Sequence, residues 1–440
     1  MYREANMRID RLNVRNFRKF EELTLDLHPQ FTLLVGGNGS GKTTVLDALA
    51  LSLSTWLRVL PAGVNPPYLT IQLKDAHLKR IQVGDRFQFQ EQTPVSVKAT
   101  GRIGDHETLT WEHRLTSSLS PQWNEDDLIA KHRQLYEGNP PGTPSDYPVL
   151  ASYGVTRAAL PEKLQDSTSL MPLNLARRWD AYTHCFNVRI DYNDLRGWFY
   201  RETAAAGANG GRKRPGYEVV RRAVFNCVPD ADDLWFDVDR ADLVCSIGGH
   251  AQPLSNLSDG QRMLLAMVAD IAVKAVTLNA HLLPADELGP EDEPIPRVLR
   301  QTPGVVLIDE LDVHLHPSWQ RRVAADLKRT FPAIQFVCTS HSPQVIGEVP
   351  KEQIRIIDGS DVYSPDHSFG VDSSRILEEI MDTRPRNESV DNLLTKLARQ
   401  ISDEDFNGAR ETIREAAAKL GEDDPEITRA RALMAFVEQK

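Results

Sequence analysis

Phe31 to Trp56 reads FTLLVGGNGSGKTTVLDALALSLSTW. The short apolar run Phe31 to Val35 predicts a buried strand. A glycine-rich turn follows, Gly36, Gly37, Asn38, Gly39, Ser40 and Gly41, and then Lys42, Thr43 and Thr44. Val45, Leu46, Leu49, Leu51 and Leu53 continue as an apolar helix pattern. This is the sequence G-x-x-x-x-G-K-[ST] in its strand–loop–helix setting, a phosphate-binding loop. Glycines let consecutive N–H groups converge on one anion. The helix adds its free N–H groups and positive dipole end. Lys42 is predicted to reach the β- and γ-phosphates of ATP, and the Thr43 hydroxyl to ligate Mg²⁺.

Upstream, Ile9, Leu12 and Val14 are spaced for one strand and Leu23, Leu25 and Leu27 for a second. The two predict an antiparallel flap beside the nucleotide. Arg18 and Lys19, in the turn between them, are then free to touch phosphate or adenine; a solvated basic turn is the equal alternative. Downstream, residues 62–94 read as mixed, with turns at Pro66-Pro67 and Gly84-Asp85. Val95 to Gly101 and Leu109 to Leu115 predict a hairpin. Asn124 to Glu137 is predicted helical, 138–148 a loop, and Val149 to Tyr153 a buried strand leading into Gly154 and Arg157.

Residues 161–250 are the least readable. Leu173 to His184, Tyr192 to Thr203 and Tyr217 to Asn226 read as helices, and Leu234 to Ile247 as two strands. Ala204 to Pro215 reads as a flexible basic loop. Leu257 to Leu278 is a strong helix pattern with Ser258 and Asp259 where a cap belongs. The acidic stretch Pro284 to Pro296 reads as a solvated loop, because like charges repel. Val305 to Ile308, Gln335 to Thr339 and Ile354 to Ile357 predict strands, and Ser318 to Arg329 a helix. From Ser373 the pattern is helical, over roughly 374–382, 388–401, 403–419 and 424–438.

Two further stretches carry chemistry. The strand Val305 to Ile308 ends in Asp309-Glu310. An apolar strand ending in Asp is the Walker B arrangement, which holds Mg²⁺ against phosphates. Glu310 is then placed to orient or deprotonate a water for attack on the γ-phosphate. His341, at the end of the next strand, is a candidate for the γ-phosphate or that water. Leu257-Ser258-Asp259-Gly260-Gln261 offers a serine and N–H groups at a helix start, a second anion site. Two chains head-to-tail can place it on the nucleotide of the first site, making ATP the glue of a dimer. His314 and His316 form an H-x-H pair that suggests metal, with no third ligand apparent and a packing or interface role as the alternative.

Composition bounds the rest. The chain has 440 residues, enough for more than one domain, and an ordinary apolar fraction of 41%. No run approaches a membrane span and the N-terminus has no apolar signal region, so a cytoplasmic protein is expected. Cys185, Cys227, Cys245 and Cys338 show no metal-binding spacing and read as reduced thiols. A net charge of −11 argues against a chain devoted to coating nucleic acid.

GGNGSGKTT, LSDGQ, VVLIDE, LDVHLHP and TSHSP, in that order, resemble the ABC-type ATPase heads of structural-maintenance-of-chromosomes (SMC), Rad-type and overcoming-lysogenization-defect (OLD) proteins. The resemblance covers about residues 8–358. It implies an α/β head with a mixed sheet, an antiparallel flap and a C-terminal helical appendage. The domains expected are a head over 1–360, with a variable insert at 116–250, and a helical region over 366–440. By resemblance, Lys42 and Thr43 act on phosphate and Mg²⁺, Asp309 is the Walker B aspartate, Glu310 the catalytic glutamate and His341 the switch histidine. Ser258, Gly260 and Gln261 act in trans, and Asp312 lies in the loop that signals between subunits. The family's usual LSGGQ is LSDGQ here, so Asp259 replaces a glycine. Gln88 and Gln90 are the candidates for the Q-loop glutamine.

A chromosome-maintenance protein needs a long coiled coil between loop and signature, and this chain has none. YPVLASYGVTR, IDELDVHLHPSWQ and the tail from SRILEEIMDTRPR resemble the PtuA ATPases of Septu defence modules, including retron-associated ones. That resemblance implies a dimer of heads controlling a separately encoded HNH-type nuclease (PtuB-like), with DNA met through the complex and no membrane partner. The alternative is a RecF- or OLD-like repair ATPase that binds DNA directly. Salt-dependent DNA affinity discriminates the two.

Overall fold

The computed structural model describes residues 7–60, 68–83, 85–103, 108–116, 121–130, 145–157 and 178–438. Its centre is a six-stranded sheet in the order β16-β15-β3-β14-β13-β9. The strands are β3 (Phe31–Val35), β9 (Val149–Tyr153), β13 (Gly304–Ile308), β14 (Ile334–Thr339), β15 (Ile354–Asp358) and β16 (Asp361–Tyr363). All are parallel to their neighbours except β16, which pairs antiparallel at one edge. β3, β13 and β14 are buried at every residue, which is why they read as mainly apolar runs with buried Thr32, Gln335 and Thr339 among them.

The parallel register fixes where chemistry can occur. β3, β14, β13 and β9 lie side by side with their carboxyl ends on one edge. Ligands bind at that edge in open α/β sheets. From β3 the chain turns through the glycine loop into α1 (Lys42–Ser54), whose apolar face is buried.

The flap is larger than two strands. β1 (Met7–Phe17) and β2 (Phe20–Asp26) join β6 (Val95–Ile103), β7 (Thr108–Leu115) and β8 (Pro121–Asn124) in an antiparallel sheet ordered β2-β1-β6-β7-β8. Buried Gln335 of β14 ties this sheet to the central one. Its amide accepts from Ile9 N at 2.9 Å and donates to Ile9 O at 2.8 Å, beside the register shift between Ile9 and Arg11. Trp111 donates to Ser52 O of α1 at 3.0 Å.

Several expectations are corrected. β4 (Leu78–Val83) and β5 (Arg86–Glu91) pair as an antiparallel hairpin, where the sequence read as mixed; Gly84, in the expected turn, lies outside the described residues. The hairpin's described side chains are largely exposed, Phe87 and Phe89 included, so it buries no apolar face. Asn124 ends a strand rather than opening a helix, and the helical residues begin at 126; 131–144 lie outside the described residues. Arg178–Tyr182 is a 3₁₀ turn, and the preceding part of that expected helix is also outside them. α2 (Tyr192–Ala208) continues into the stretch read as a basic loop, because its alanines favour helix.

α3 (Pro215–Cys227), β10 (Ala231–Asp237) and β11 (Asp242–Ile247) match expectation, and β12 (His250–Pro253) adds a third strand. In the acidic stretch, Asp292 is buried and accepts from Arg297 N at 2.7 Å, so it is a structural cap instead of a solvated charge. α4 (Asp259–Leu278) and α5 (Pro317–Thr330) follow as read.

The chain forms two compact units, the first ending at Gly370 and the second beginning at Val371. The second holds α6 (Ser373–Glu379), α7 (Glu388–Ser402), α8 (Phe406–Leu420) and α9 (Pro425–Glu438). Its own core is Leu393, Leu397, Ile401, Ala409, Ile413, Ala416, Ala417 and Ile427. Among the described residues no helix is long and apolar enough to cross a membrane.

Candidate functional site

The glycine loop arches over the amino end of α1. Gly41, the residue before α1, has φ +104, and a Cβ there would sit 2.3 Å from Phe20 Cζ of β2. Only glycine meets both demands, the left-handed turn and the close flap. Lys42 is buried, and its ammonium donates to Gly36 O at 2.9 Å and Gly37 O at 3.0 Å, with Ser40 Oγ at 3.5 Å. It thus bridges the loop that must cradle phosphate. Burial lowers its pKa from the usual range. Asn38 and Gly39 are exposed at the loop crest, and Thr44 is half-buried in the first turn of α1.

One hydrogen-bonded chain joins the loop to the strand ends. Thr43 Oγ1 donates to Asp309 Oδ2 at 2.9 Å. Asp309 Oδ1 accepts from Thr339 Oγ1 at 2.6 Å, and the same hydroxyl accepts from Glu310 N at 2.7 Å. Thr43 and Asp309 therefore present two hard oxygen ligands within hydrogen-bond reach of each other, a donor set suited to Mg²⁺. Glu310 adopts φ +48. A non-glycine residue held there costs about 1–3 kcal/mol and persists where its surroundings over-determine it.

The next strand end is joined to the loop after Glu310. Asp312 Oδ1 accepts from Ser340 Oγ at 2.5 Å and from His341 N at 3.3 Å. His341 is half-buried; burial and nearby Lys42 lower its imidazole pKa, while Asp312, Glu310 and Asp309 oppose them. A lowered pKa favours the neutral ring near pH 7. His316 caps α5, its Nδ1 accepting from Ser318 N at 3.3 Å. Among the described residues the one group of His, Cys, Asp and Glu able to share an ion is His184, Asp191 and Asp194, so His314 and His316 gather no ligand set.

Arg18 is held by two carboxylates, Asp47 of α1 and Asp75. Lys19 donates to the Gly39 carbonyl, on the phosphate loop itself. Gln88 and Gln90 lie on the exposed β4–β5 hairpin. β9 pairs beside the Walker B strand β13 and leads into Gly154 to Arg157.

Sequence reading assigned no role to Arg157 or Thr339. The available signals were an arginine just past a buried strand and a lone hydroxyl closing an apolar one.

Ser258, Gly260 and Gln261 stand apart. Ser258 and Gln261 bond each other: Ser258 Oγ donates to Gln261 Oε1 at 2.9 Å, and Gln261 N to Ser258 Oγ at 3.4 Å. This capping box opens α4 and leaves Ser258 exposed. Gly260 is buried, and a Cβ there would lie 2.2 Å from His314 O. Asp259 pairs with Arg262. Among the described residues no hydrogen bond links these signature residues to the glycine loop.

The description "AAA ATPase domain" matches residues 7–96, and "AAA domain, putative AbiEii toxin, Type IV TA system" matches 235–347. The chain is 25% identical to the Retron Vc95 probable ATPase of Vibrio cholerae, over 86% of this chain and 80% of that one. It is 21% identical to the Septu protein PtuA of Bacillus mycoides over 76% of this chain, which spans 38% of PtuA. An SMC head from Pyrococcus furiosus, solved with the C-terminal domain of ScpA, aligns at a TM-score of 0.45 and 14% identity over 85% of this chain and 99% of its own. The loop geometry and the two ATPase-domain matches support ATPase activity, and the chain is similar to the retron probable ATPase and to the Septu protein PtuA.

Proposed function

We propose that this ATPase is the switch subunit of an anti-phage defence complex. Gly36 to Thr44 would cradle the phosphates of ATP, and Thr43 with Asp309 would hold Mg²⁺, which when bound would supply charge neutralisation for phosphoryl transfer. Glu310 orients and deprotonates the attacking water, with His341 beside it. Ser258, Gly260 and Gln261 come from a second copy, head-to-tail, so that ATP binding closes the dimer and hydrolysis reopens it. The cycle controls a separately encoded HNH-type nuclease in the cytoplasm; four buried, unpaired cysteines accord with that compartment. A head over 1–360 and a helical region over 366–440 are the working parts.

The observation that carries this reading is the contrast between the joined set Thr43, Asp309, Thr339 and Glu310 and the exposed, separate Ser258. The retron and Septu relatives support the defence setting.

Glu310→Gln tests the switch. It is expected to bind ATP normally, to hydrolyse it about 10²–10⁴-fold more slowly and to accumulate an ATP-dependent dimer in light scattering. Normal turnover would remove Glu310 from the mechanism. Gentle purification of the native complex should bring down a small HNH protein. Tight, salt-dependent DNA binding by the chain alone would favour the repair-type alternative.

A further inference from the structure

We propose that Arg157 is a positioning residue for hydrolysis, whose guanidinium clamps the backbone of Asp309 and Glu310 from behind. The inference rests on the reading of Glu310 as the carboxylate that orients water. Arg157 Nη1 donates to Asp309 O at 2.7 Å and to Gly154 O at 3.0 Å, and Nη2 donates to Glu310 O at 2.9 Å. One planar fork therefore spans two consecutive carbonyls across a turn in which Glu310 has φ +48. Lysine, a point charge, cannot span both in that way.

The position is a costly one for a cation. Arg157 is 1% exposed, and burial pulls its pKa down to about 10 against the opposing pull of Cys338, Asp309, Asp312 and Glu310. Among the described residues it forms no ion pair, and its Nε lacks a hydrogen-bond partner. Its hydrogen bonds go instead to the main chain that carries the two acids.

The clamp is itself anchored. Ile190 N donates to Arg157 O at 2.9 Å, and Gly154 N donates to Val188 O at 2.9 Å. A Cβ on Gly154 would come within 2.7 Å of Val188 Cβ, so the turn sits hard against that segment. From the other side Thr339 holds the Glu310 N–H and the Asp309 carboxylate. Arg157, following β9, and Thr339, on β14, thus hold one peptide turn from the two strands that flank β13. Arg157 touches no reacting atom; it acts through the geometry of Glu310.

The test uses the full chain with Arg157→Met, Arg157→Lys and Glu310→Gln measured side by side. Arg157→Met is expected to bind a fluorescent ATP analogue within about threefold of wild type and keep its KM. Its kcat should fall about 30-fold or more, as expected when a catalytic group drifts by a fraction of an ångström. Arg157→Lys should recover about fivefold of that loss, since it keeps the charge and one carbonyl contact. Wild-type kcat in Arg157→Met overturns the proposal. So does a parallel loss of kcat and nucleotide affinity by one factor, which marks a merely structural residue. If Arg157→Met does not fold, Arg157→Lys decides: lower kcat at unchanged KM supports the clamp, and wild-type kcat overturns it. Normal turnover by Glu310→Gln sinks the reading of Glu310, whereas an inactive Glu310→Gln beside a fully active Arg157→Met sinks the clamp alone.

Discussion

Two polar regions of this molecule are built in opposite ways. At the sheet edge, Thr43, Asp309, Thr339 and Glu310 form a continuous hydrogen-bonded series, and Asp312 ties Ser340 and His341 to it. At the start of α4, Ser258 and Gln261 bond each other, Asp259 pairs with Arg262, and Ser258 stays exposed. The first arrangement is pre-organised, because Thr43 and Thr339 already donate to Asp309, and Ser340 and His341 N to Asp312. The second satisfies itself and keeps N–H groups at a helix start for an anion arriving from outside. On the proposed head-to-tail reading, half of the site is finished within one chain and half is turned outward for a second copy.

Beyond Glu310→Gln itself, the largest expected effect comes from breaking the outward half. Ser258→Arg should lower ATP turnover about 100-fold, the scale of removing a preorganised phosphate contact, while nucleotide affinity stays within about twofold. Mixing it with Lys42→Ala, which spoils the opposite half, sharpens the result. In equal amounts the two inactive chains should recover about a quarter of wild-type turnover, since half the dimers are mixed and each has one intact site. No recovery would mean that the signature serine does not serve a neighbour's nucleotide. Wild-type turnover in Ser258→Arg would erase the contrast altogether.

A smaller effect is expected inside the finished half. Thr339→Val keeps the shape of a fully buried side chain and removes the hydroxyl shared by Glu310 N and Asp309 Oδ1. Leaving the N–H unpaired costs about 1–3 kcal/mol, so kcat should fall about tenfold with a lower melting temperature. Unchanged kcat would show that Glu310 keeps its position without this bond.

The finished half was the more legible of the two. Its strands are buried on both faces and read as plain apolar runs, and the residues closing them, Asp309, Glu310 and His341, could be read off the sequence. What joins them was not legible. Arg157 lies more than 150 residues upstream of the carbonyls it holds, and only the parallel pairing of β9 with β13 brings it there. Periodicity carries no record of strand order. The β4–β5 hairpin escaped for a different reason: Phe87 and Phe89 do alternate with Arg86, Gln88 and Gln90, but both are exposed, so this alternation marks no half-buried strand. At the outward half, the cap at Ser258 was readable because capping is local. The contact of Gly260 with His314 O was not, since it depends on tertiary packing.

Asp259 gives the smallest predicted effect and divides the two demands placed on the outward half. In the first turn of α4 an acid interacts favourably with the helix dipole, and Asp259 also pairs with Arg262. For one isolated chain, Asp259→Gly should therefore cost about 1 kcal/mol, from the lost dipole interaction and the greater backbone freedom of glycine. In a dimer closed over ATP, the same carboxylate would face phosphate charge. Removing it should tighten ATP-dependent dimerisation about threefold at low salt, and the gain should shrink as salt rises toward 1 M. A chain less stable alone yet tighter as a dimer is an outcome that helix capping by itself cannot produce. If Asp259→Gly weakens the monomer and leaves dimerisation unchanged at every salt concentration, the start of α4 is a helix cap and no phosphate from a neighbour reaches it.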